Sequence, residues 1–183
     1  MKKFFPVIFA VVIFATMMIV QMVVNGKDLS ASKLSKDDER YQLFESNFKK
    51  STFTSTKENV FSLQKVKEPI VILNFWASWC RPCLSEFSTL KKLIKKYPNK
   101  ILVLGINNDE ENPKKAIYKT EKDLNLNFES IVDADSSITN SFHIERIPAS
   151  IAFHKGKAFH FINEEFNFMN PNFLEQIENL LKE

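Results

Sequence analysis

Cysteine and histidine are scarce in this sequence, with two of the first and three of the second among 183 residues. The two cysteines, Cys80 and Cys83, are separated by only two residues. A bridge closing so short a loop removes little chain entropy, so a purely structural disulfide is a poor account of the pair. A structural zinc takes four ligands, and His143, His154 and His160 have no ligand-like spacing to the cysteines, so no metal is expected. Basic blocks are missing too. With Lys2 and Lys3 set aside, the formal charge of +3 reduces to 23 basic against 22 acidic side chains, which argues against nucleic acid as a partner. Lys91-Lys92, Lys95-Lys96 and Lys100 read as the solvated face of a helix. The chain has no internal repeats and no long low-complexity tract.

The N-terminus lacks charge over Phe4 to Val24, 21 residues that follow Met1-Lys2-Lys3. As a helix this run is about 31 Å long at ~1.5 Å per residue, enough to cross a hydrocarbon core of roughly 30 Å. A cleaved signal peptide is the competing reading, with Lys2 and Lys3 as n-region and Val24-Asn25-Gly26 as a weak cleavage site. The run, however, exceeds the usual ~7–15 residues of an h-region, and no A-x-A closes it. No cysteine follows it to carry a lipid. An uncleaved signal-anchor over residues 1–26 is therefore favoured, and the two lysines before the span keep the N-terminus in the cytoplasm and export the rest. The expected location is the cell (inner) membrane, single-pass, with the folded part on the extracytoplasmic or periplasmic side. Residues 27–50 read as a polar tether, in which Tyr41, Phe44 and Phe48 at helical spacing mark a short helix within Ser35 to Lys49. Residues 51–183 are the expected folded domain.

Within that domain, Ser51 to Val66 reads as a strand pair with a turn near Lys57-Glu58-Asn59. Ile70 to Trp76 is a short β-branched and aromatic run, a buried strand. Leu84, Phe87, Leu90, Leu93 and Ile94 then recur at intervals of three and four, the pattern of an amphipathic helix packed on one face. A second buried strand follows at Ile101 to Ile106, which implies a parallel crossover unit. Pro113 opens a helix to about Leu124, Phe128 to Val132 is a short strand, and Asp135 or Ser136 caps a brief helix ending near Phe142. Pro148 opens a strand to Phe153, Lys155-Gly156 turns the chain, and Lys157 to Ile162 returns antiparallel. Pro171 starts the last helix, whose apolar face is Phe173, Leu174, Ile177, Leu180 and Leu181.

The Cys80-Arg81-Pro82-Cys83 stretch therefore lies where a strand ends and a helix begins. Unpaired backbone N–H groups and the positive end of the dipole favour thiolate there, the form that attacks disulfides. Cys80 is the candidate nucleophile, and Cys83, one turn on and on the same face, is the candidate resolving thiol. Pro82 is tolerated because the first turn has no intrahelical use for its missing N–H. Glu86, a turn beyond Cys83, reads on spacing alone either as a solvated helix residue or as a group under the site.

Asn74-Phe75-Trp76-Ala77-Ser78-Trp79-Cys80-Arg81-Pro82-Cys83 followed by Glu86 resembles the thioredoxin superfamily, and within it the membrane-anchored TlpA/ResA-like branch, over roughly Ser51 to Glu183. The resemblance implies an α/β fold with a central mixed sheet flanked by helices, an N-terminal β-hairpin and a central helix–strand insertion at about Pro113 to Val132, here preceded by one transmembrane helix. Pro148 matches the superfamily's cis-proline, which lies against the cysteines and presents the backbone of the preceding residue, Ile147, to a substrate strand. From the residues alone, a trans edge proline stays open. The resemblance makes Glu86 the acid–base partner that takes a proton from Cys83. Asn74 departs from plain thioredoxin, which usually has a buried Asp there; an amide cannot titrate, so proton transfer at depth falls to Glu86 or water. The Phe-rich stretch Asn163 to Asn170 also departs, lacking the glycine many relatives place after the last strand. Trp76 and Trp79 read as packing and rim residues, with Trp79 touching substrate, and the three histidines as structural or surface residues.

The expected function is thiol–disulfide exchange with protein thiols and disulfides, without a diffusible cofactor, coupled to a membrane electron donor or acceptor. Arg81 beside Cys80 favours a more oxidising couple and Glu86 the opposite. The resemblance favours a reductant of extracytoplasmic cysteines, as in cytochrome c maturation. A disulfide-forming oxidant and a copper-binding or delivery module using the thiolate pair are the alternatives.

Overall fold

A computed structural model describes the backbone of residues 5–183 and the side chains of residues 12–22 and 38–183. The chain divides into two units, Met1–Arg40 and Tyr41–Glu183. Helix α1 (Phe5–Lys50) starts in the first and ends in the second. In the first unit, residues 12–22 are exposed on every side, Phe14 to 67% and Met22 to 74%. Among the described residues no helix is long and apolar enough to cross a membrane. The anchor expected over residues 1–26 lies partly outside them.

In the second unit, β3 (Ile70–Trp76) is buried along its whole length, as its uninterrupted apolar run requires. It pairs in parallel with β4 (Ile101–Asn107) and antiparallel with β6 (Ala149–His154). Outside these lie β5 (Glu129–Val132), parallel to β4, and β7 (Lys157–Ile162), antiparallel to β6, giving the order β5-β4-β3-β6-β7. β1 (Thr52–Thr54) and β2 (Val60–Ser62) form the separate antiparallel pair expected before β3. Side chains alternate along a strand, so β3 feeds two cores. Ile70, Ile72 and Trp76 pack with Phe87 of α2 (Arg81–Lys96), Ile117 of α3 (Pro113–Leu124) and Phe173 of α5 (Pro171–Leu180). Val71, Leu73 and Phe75 pack on the opposite face with Phe44, Phe48 and Phe142. The result is the expected mixed sheet flanked by helices, with α3 and β5 in the place of the expected insertion.

Three details differ from the sequence reading. The compact unit starts at Tyr41 rather than Ser51, because Phe44 and Phe48 are core residues, with ring centroids 5.3 Å from Phe161 and 4.6 Å from Phe153. Aromatic side chains buried this deeply make the end of α1 part of the fold rather than of a tether. The short helix α4 (Ser137–Ser141) is held mainly by Asp133, whose Oδ1 accepts the Ile138 N–H at 2.9 Å and whose Oδ2 accepts the Thr139 N–H at 2.8 Å and its hydroxyl at 2.6 Å. Asp135 contributes one bond, accepting the Ser137 N–H at 3.1 Å, and Ser136 makes no side-chain cap. β6 begins at Ala149, one residue after the proline expected to open it.

Gly105 of β4 faces Asn74 across the ladder, and its missing side chain makes room for Trp76. A Cβ there would lie 2.8 Å from Trp76 Nε1 and 3.2 Å from Phe128 Cε2. Trp76 is fully buried, its ring set edge-on to Phe87 at 5.2 Å, so neither ring has space to yield. Gly105→Ala is expected to lower unfolding free energy by about 1–3 kcal/mol, the usual cost of overpacking, as read from equilibrium urea unfolding. A variant as stable as the wild type would show that the Trp76 ring moves freely.

Candidate active site

The site is assembled at the C-terminal end of β3. Cys80 is the N-cap of α2, with extended backbone, and its Sγ accepts the Cys83 N–H at 3.3 Å. The sulfur therefore occupies the position in which a helix N-terminus offers an unpaired donor to negative charge. Arg81 and Pro82 fill the first two helical positions, both exposed, and α2 continues through Lys96. Cys80 and Cys83 form a disulfide with Cα atoms 5.3 Å apart. Cys83 is fully buried and Cys80 nearly so, at 5% exposure.

Glu86 follows one turn later and points inward, 3% exposed. The alternation that sends Ile72 and Trp76 toward α2 also sends Asn74 there, and its Nδ2 donates to Glu86 Oε1 at 2.6 Å and to Ser150 Oγ at 2.9 Å. The Phe166 N–H donates to Glu86 Oε2 at 3.2 Å. Burial raises the Glu86 carboxyl to about 7; the bonds from Asn74 and Phe166 oppose that rise, and the nearby Glu165 charge adds to it. Each carboxyl oxygen keeps a second lone pair, so a group near neutrality with spare acceptor capacity sits beneath the cysteines.

The other expected residues fall around the disulfide as follows. Trp79 is 69% exposed beside it, while Trp76 is fully buried behind it. The Ile147-Pro148 peptide bond is cis. Because Ala149 pairs with Phe75, the register brings Ile147-Pro148 level with the end of β3, where the cysteine stretch starts. Pro148 is buried and Ile147 half-buried against both cores. Of the histidines, His143 is exposed, His154 is buried, and His160 packs against the rings of Phe166 and Phe173. Among the described residues no group of three or more His, Cys, Asp or Glu is placed to hold a metal ion.

Sequence reasoning did not find the residues that fix the approach to Cys80. Asp109, buried at the end of β4, accepts the Ser78 N–H at 3.0 Å and the Ser78 hydroxyl at 2.9 Å, and is itself held by Asn107 Nδ2 at 2.8 Å. It locks the turn that carries Trp79. Its only sequence signal is an acidic residue just past a parallel strand. Ser150, which shares the Asn74 amide, had no signal beyond a polar residue inside a buried strand.

Comparison with known proteins agrees with this geometry. A model of the AhpC/TSA family matches residues 45–165. The thioredoxin-like protein YneN of Bacillus subtilis is 37% identical over 73 residues, 39% of this chain and 43% of that protein. The thiol-disulfide oxidoreductase ResA of Bacillus thuringiensis subsp. konkukian is 28% identical over 131 residues, 70% of this chain and 71% of that one. The chain spans about half the length of the curated relatives it matches, from 43% to 71%. The crystal structure of StoA from Bacillus subtilis superposes with a TM-score of 0.57 at 20% identity, covering 72% of this chain and 95% of that one. A thioredoxin-like sheet, a disulfide capping the helix after its central strand, and a family match over residues 45–165 all converge: the chain belongs to the AhpC/TSA family, in the ResA/TlpA-like branch of the thioredoxin superfamily.

Proposed function

We propose that the protein is a thiol–disulfide oxidoreductase, tethered to a membrane by its N-terminal segment, that reduces specific protein disulfides outside the cytoplasm. The observation that carries this is the Cys80 sulfur at the N-cap of α2, accepting a backbone N–H, with a buried carboxyl of pKa about 7 one turn below its partner cysteine. In the reducing direction the Cys80 thiolate attacks one sulfur of the target disulfide. That S–S bond breaks, a Cys80 mixed disulfide forms, and the first target thiolate leaves. Glu86 takes the proton of Cys83, whose thiolate then attacks the Cys80 sulfur, releasing the second target thiolate and closing Cys80–Cys83. Two electrons pass to the target, and a membrane-bound dithiol or equivalent donor returns them; the sulfur atoms carry the charge, so no diffusible cofactor is needed. Trp79, Ile147 and Pro148 form the rim on which the target strand lies. The relatives named thiol-disulfide oxidoreductase support the chemistry, and the resemblance to their branch supports cysteines such as those of apocytochrome c as the target class. The exposed apolar side chains within Val12 to Met22, interrupted by Thr16 and Gln21, support the tether, since so much exposed apolar surface is at home in lipid rather than water.

Titrating the full chain in detergent against thiol buffers separates exchange from its rivals. A single reversible two-electron couple is expected, within the roughly −270 to −120 mV of thioredoxin-like proteins, and no Cu(I) retained against a chelator. Tight Cu(I) binding with sluggish exchange would make it a copper module. A couple at the oxidising end, with net formation of disulfides in a reduced target, would make it an oxidant.

A further inference from the structure

The Phe-rich segment after β7, which fits no expected role, is tied to α2 by three hydrogen bonds. Besides the Phe166 N–H on Glu86 Oε2, the Phe168 N–H donates to Thr89 Oγ1 at 3.1 Å, and the Ser85 hydroxyl donates to Glu165 Oε1 at 2.5 Å. The Thr89 hydroxyl proton is committed to the Glu86 carbonyl at 2.8 Å, so its lone pair faces Phe168 in a fixed direction. Only one residue, Asn167, lies between the N–H held by Thr89 and the N–H held by Glu86, a reach of at most ~7 Å of backbone, so placing one places the other. Phe168 is fully buried, its ring 5.1 Å from that of Phe166 and 5.8 Å from that of Phe173. Simple loop anchoring would explain a bond from Thr89 to the segment. It does not explain why the neighbouring donor is spent on the one buried carboxylate beneath the cysteines.

We propose that Thr89 is a positioning residue for Glu86: by holding Phe168 it keeps the Phe166 N–H on the carboxylate and so sets the pH at which Glu86 exchanges its proton. This rests on the reading of Glu86 as the base for Cys83. The groups facing Glu86 are few. From the segment comes the Glu165 charge, which disfavours the carboxylate. From β3 comes the neutral Asn74 and, behind it, Ser150 of β6; on α2 itself the cysteines are joined as a neutral disulfide. Losing the Phe166 donor therefore leaves burial and Glu165 less opposed, and the midpoint moves up.

The test is a carboxyl carbon-13 NMR titration of the oxidised full chain, with the Glu86 signal assigned by its loss in Glu86→Gln. Thr89→Val is expected to raise the Glu86 midpoint by about one pH unit, because two to three such N–H bonds lower a carboxyl by about two. Thr89→Ser, which keeps the hydroxyl, should titrate as the wild type. Thr89→Ala carries the same expectation as the valine and replaces it if that variant does not fold. A midpoint unmoved in Thr89→Val and Thr89→Ala overturns the proposal, as does a Thr89→Ser shift as large as theirs. The readout needs no thiol partner. A wild-type chain that reduces no protein disulfide would thus refute the functional reading, whereas the role of Thr89 stands or falls with the titration alone.

Discussion

Cys83→Ser is expected to stop the proposed turnover and to leave Cys80 covalently joined to its target. Cys80 caps α2 and Cys83 lies in its first turn, with their Cα atoms 5.3 Å apart, so on the proposed reading the resolving thiol is already in place when the mixed disulfide forms. Serine at that position cannot attack sulfur, and release then waits for an external thiol at millimolar concentration. An intramolecular group held in position reacts at an effective concentration orders of magnitude higher, so turnover should fall on the order of 10³-fold or more. The trapped species is read on a non-reducing gel and its second component by mass spectrometry. Cys80→Ser should be equally inactive but should trap nothing, because Cys83 is fully buried and has no access to a target. If Cys80→Ser captured the same protein, the roles of the two cysteines would have to be exchanged; if neither captured anything, exchange with proteins would be the wrong chemistry.

The second large effect is on stability and comes from Glu86. Burial raises its carboxyl from 4.5 to about 7 in the folded chain. Between those pH values the folded protein keeps a proton that the unfolded chain has already released. Stability therefore falls as pH rises from about 4.5, and levels off above about 7. At ~1.36 kcal/mol per unit, the loss across that window is about 3 kcal/mol. Glu86→Gln removes the titration. The two donors reach different carboxyl oxygens, and the amide NH2 that replaces one of them cannot accept from Asn74 or from the Phe166 N–H, which costs about 1 kcal/mol at any pH. The variant should thus be slightly less stable than the wild type at pH 4.5 and more stable by about 1–2 kcal/mol at pH 8, the difference left between those two terms. Urea unfolding of the oxidised full chain at both pH values measures it. An equal deficit at the two pH values would mean that Glu86 titrates at an ordinary carboxylate pH. The same substitution is expected to slow resolution by Cys83, so a gain in stability at pH 8 accompanies a loss of activity.

Much of the scaffold was legible because its signals are local. The apolar run of β3 and the three-and-four spacing after Cys83 both announce their elements within a few residues. So does the turn at Lys155-Gly156, where both residues have positive φ and so fit a two-residue hairpin loop. The cysteine pair and Glu86 were visible for the same reason, being one turn apart on one helix. What escaped was polar and distant. Thr89 meets Phe168 across 79 positions, Asn74 meets Ser150 across 76, and Ser78 meets Asp109 across 31. Hydrogen-bonding residues of this kind have no periodicity, and only the folded chain shows which of many serines, threonines and asparagines is used. Phe44 and Phe48 were a different failure. Their helical spacing was plain, but whether an amphipathic helix docks depends on an acceptor surface, here Phe153 and Phe161, that lies over a hundred residues downstream.

Both cysteines belong to the same buried cluster as Trp76, Phe87, Leu90 and Phe168. The disulfide is thus part of the hydrophobic core rather than an attachment to its surface, and folding and reduction form one thermodynamic cycle. Any change in that cluster that favours the reduced core over the oxidised one by ~1.4 kcal/mol raises the reduction potential by about 30 mV. A substitution at Phe87 or Phe168 that alters packing unequally in the two states would then shift the potential with no change of charge beside the sulfurs.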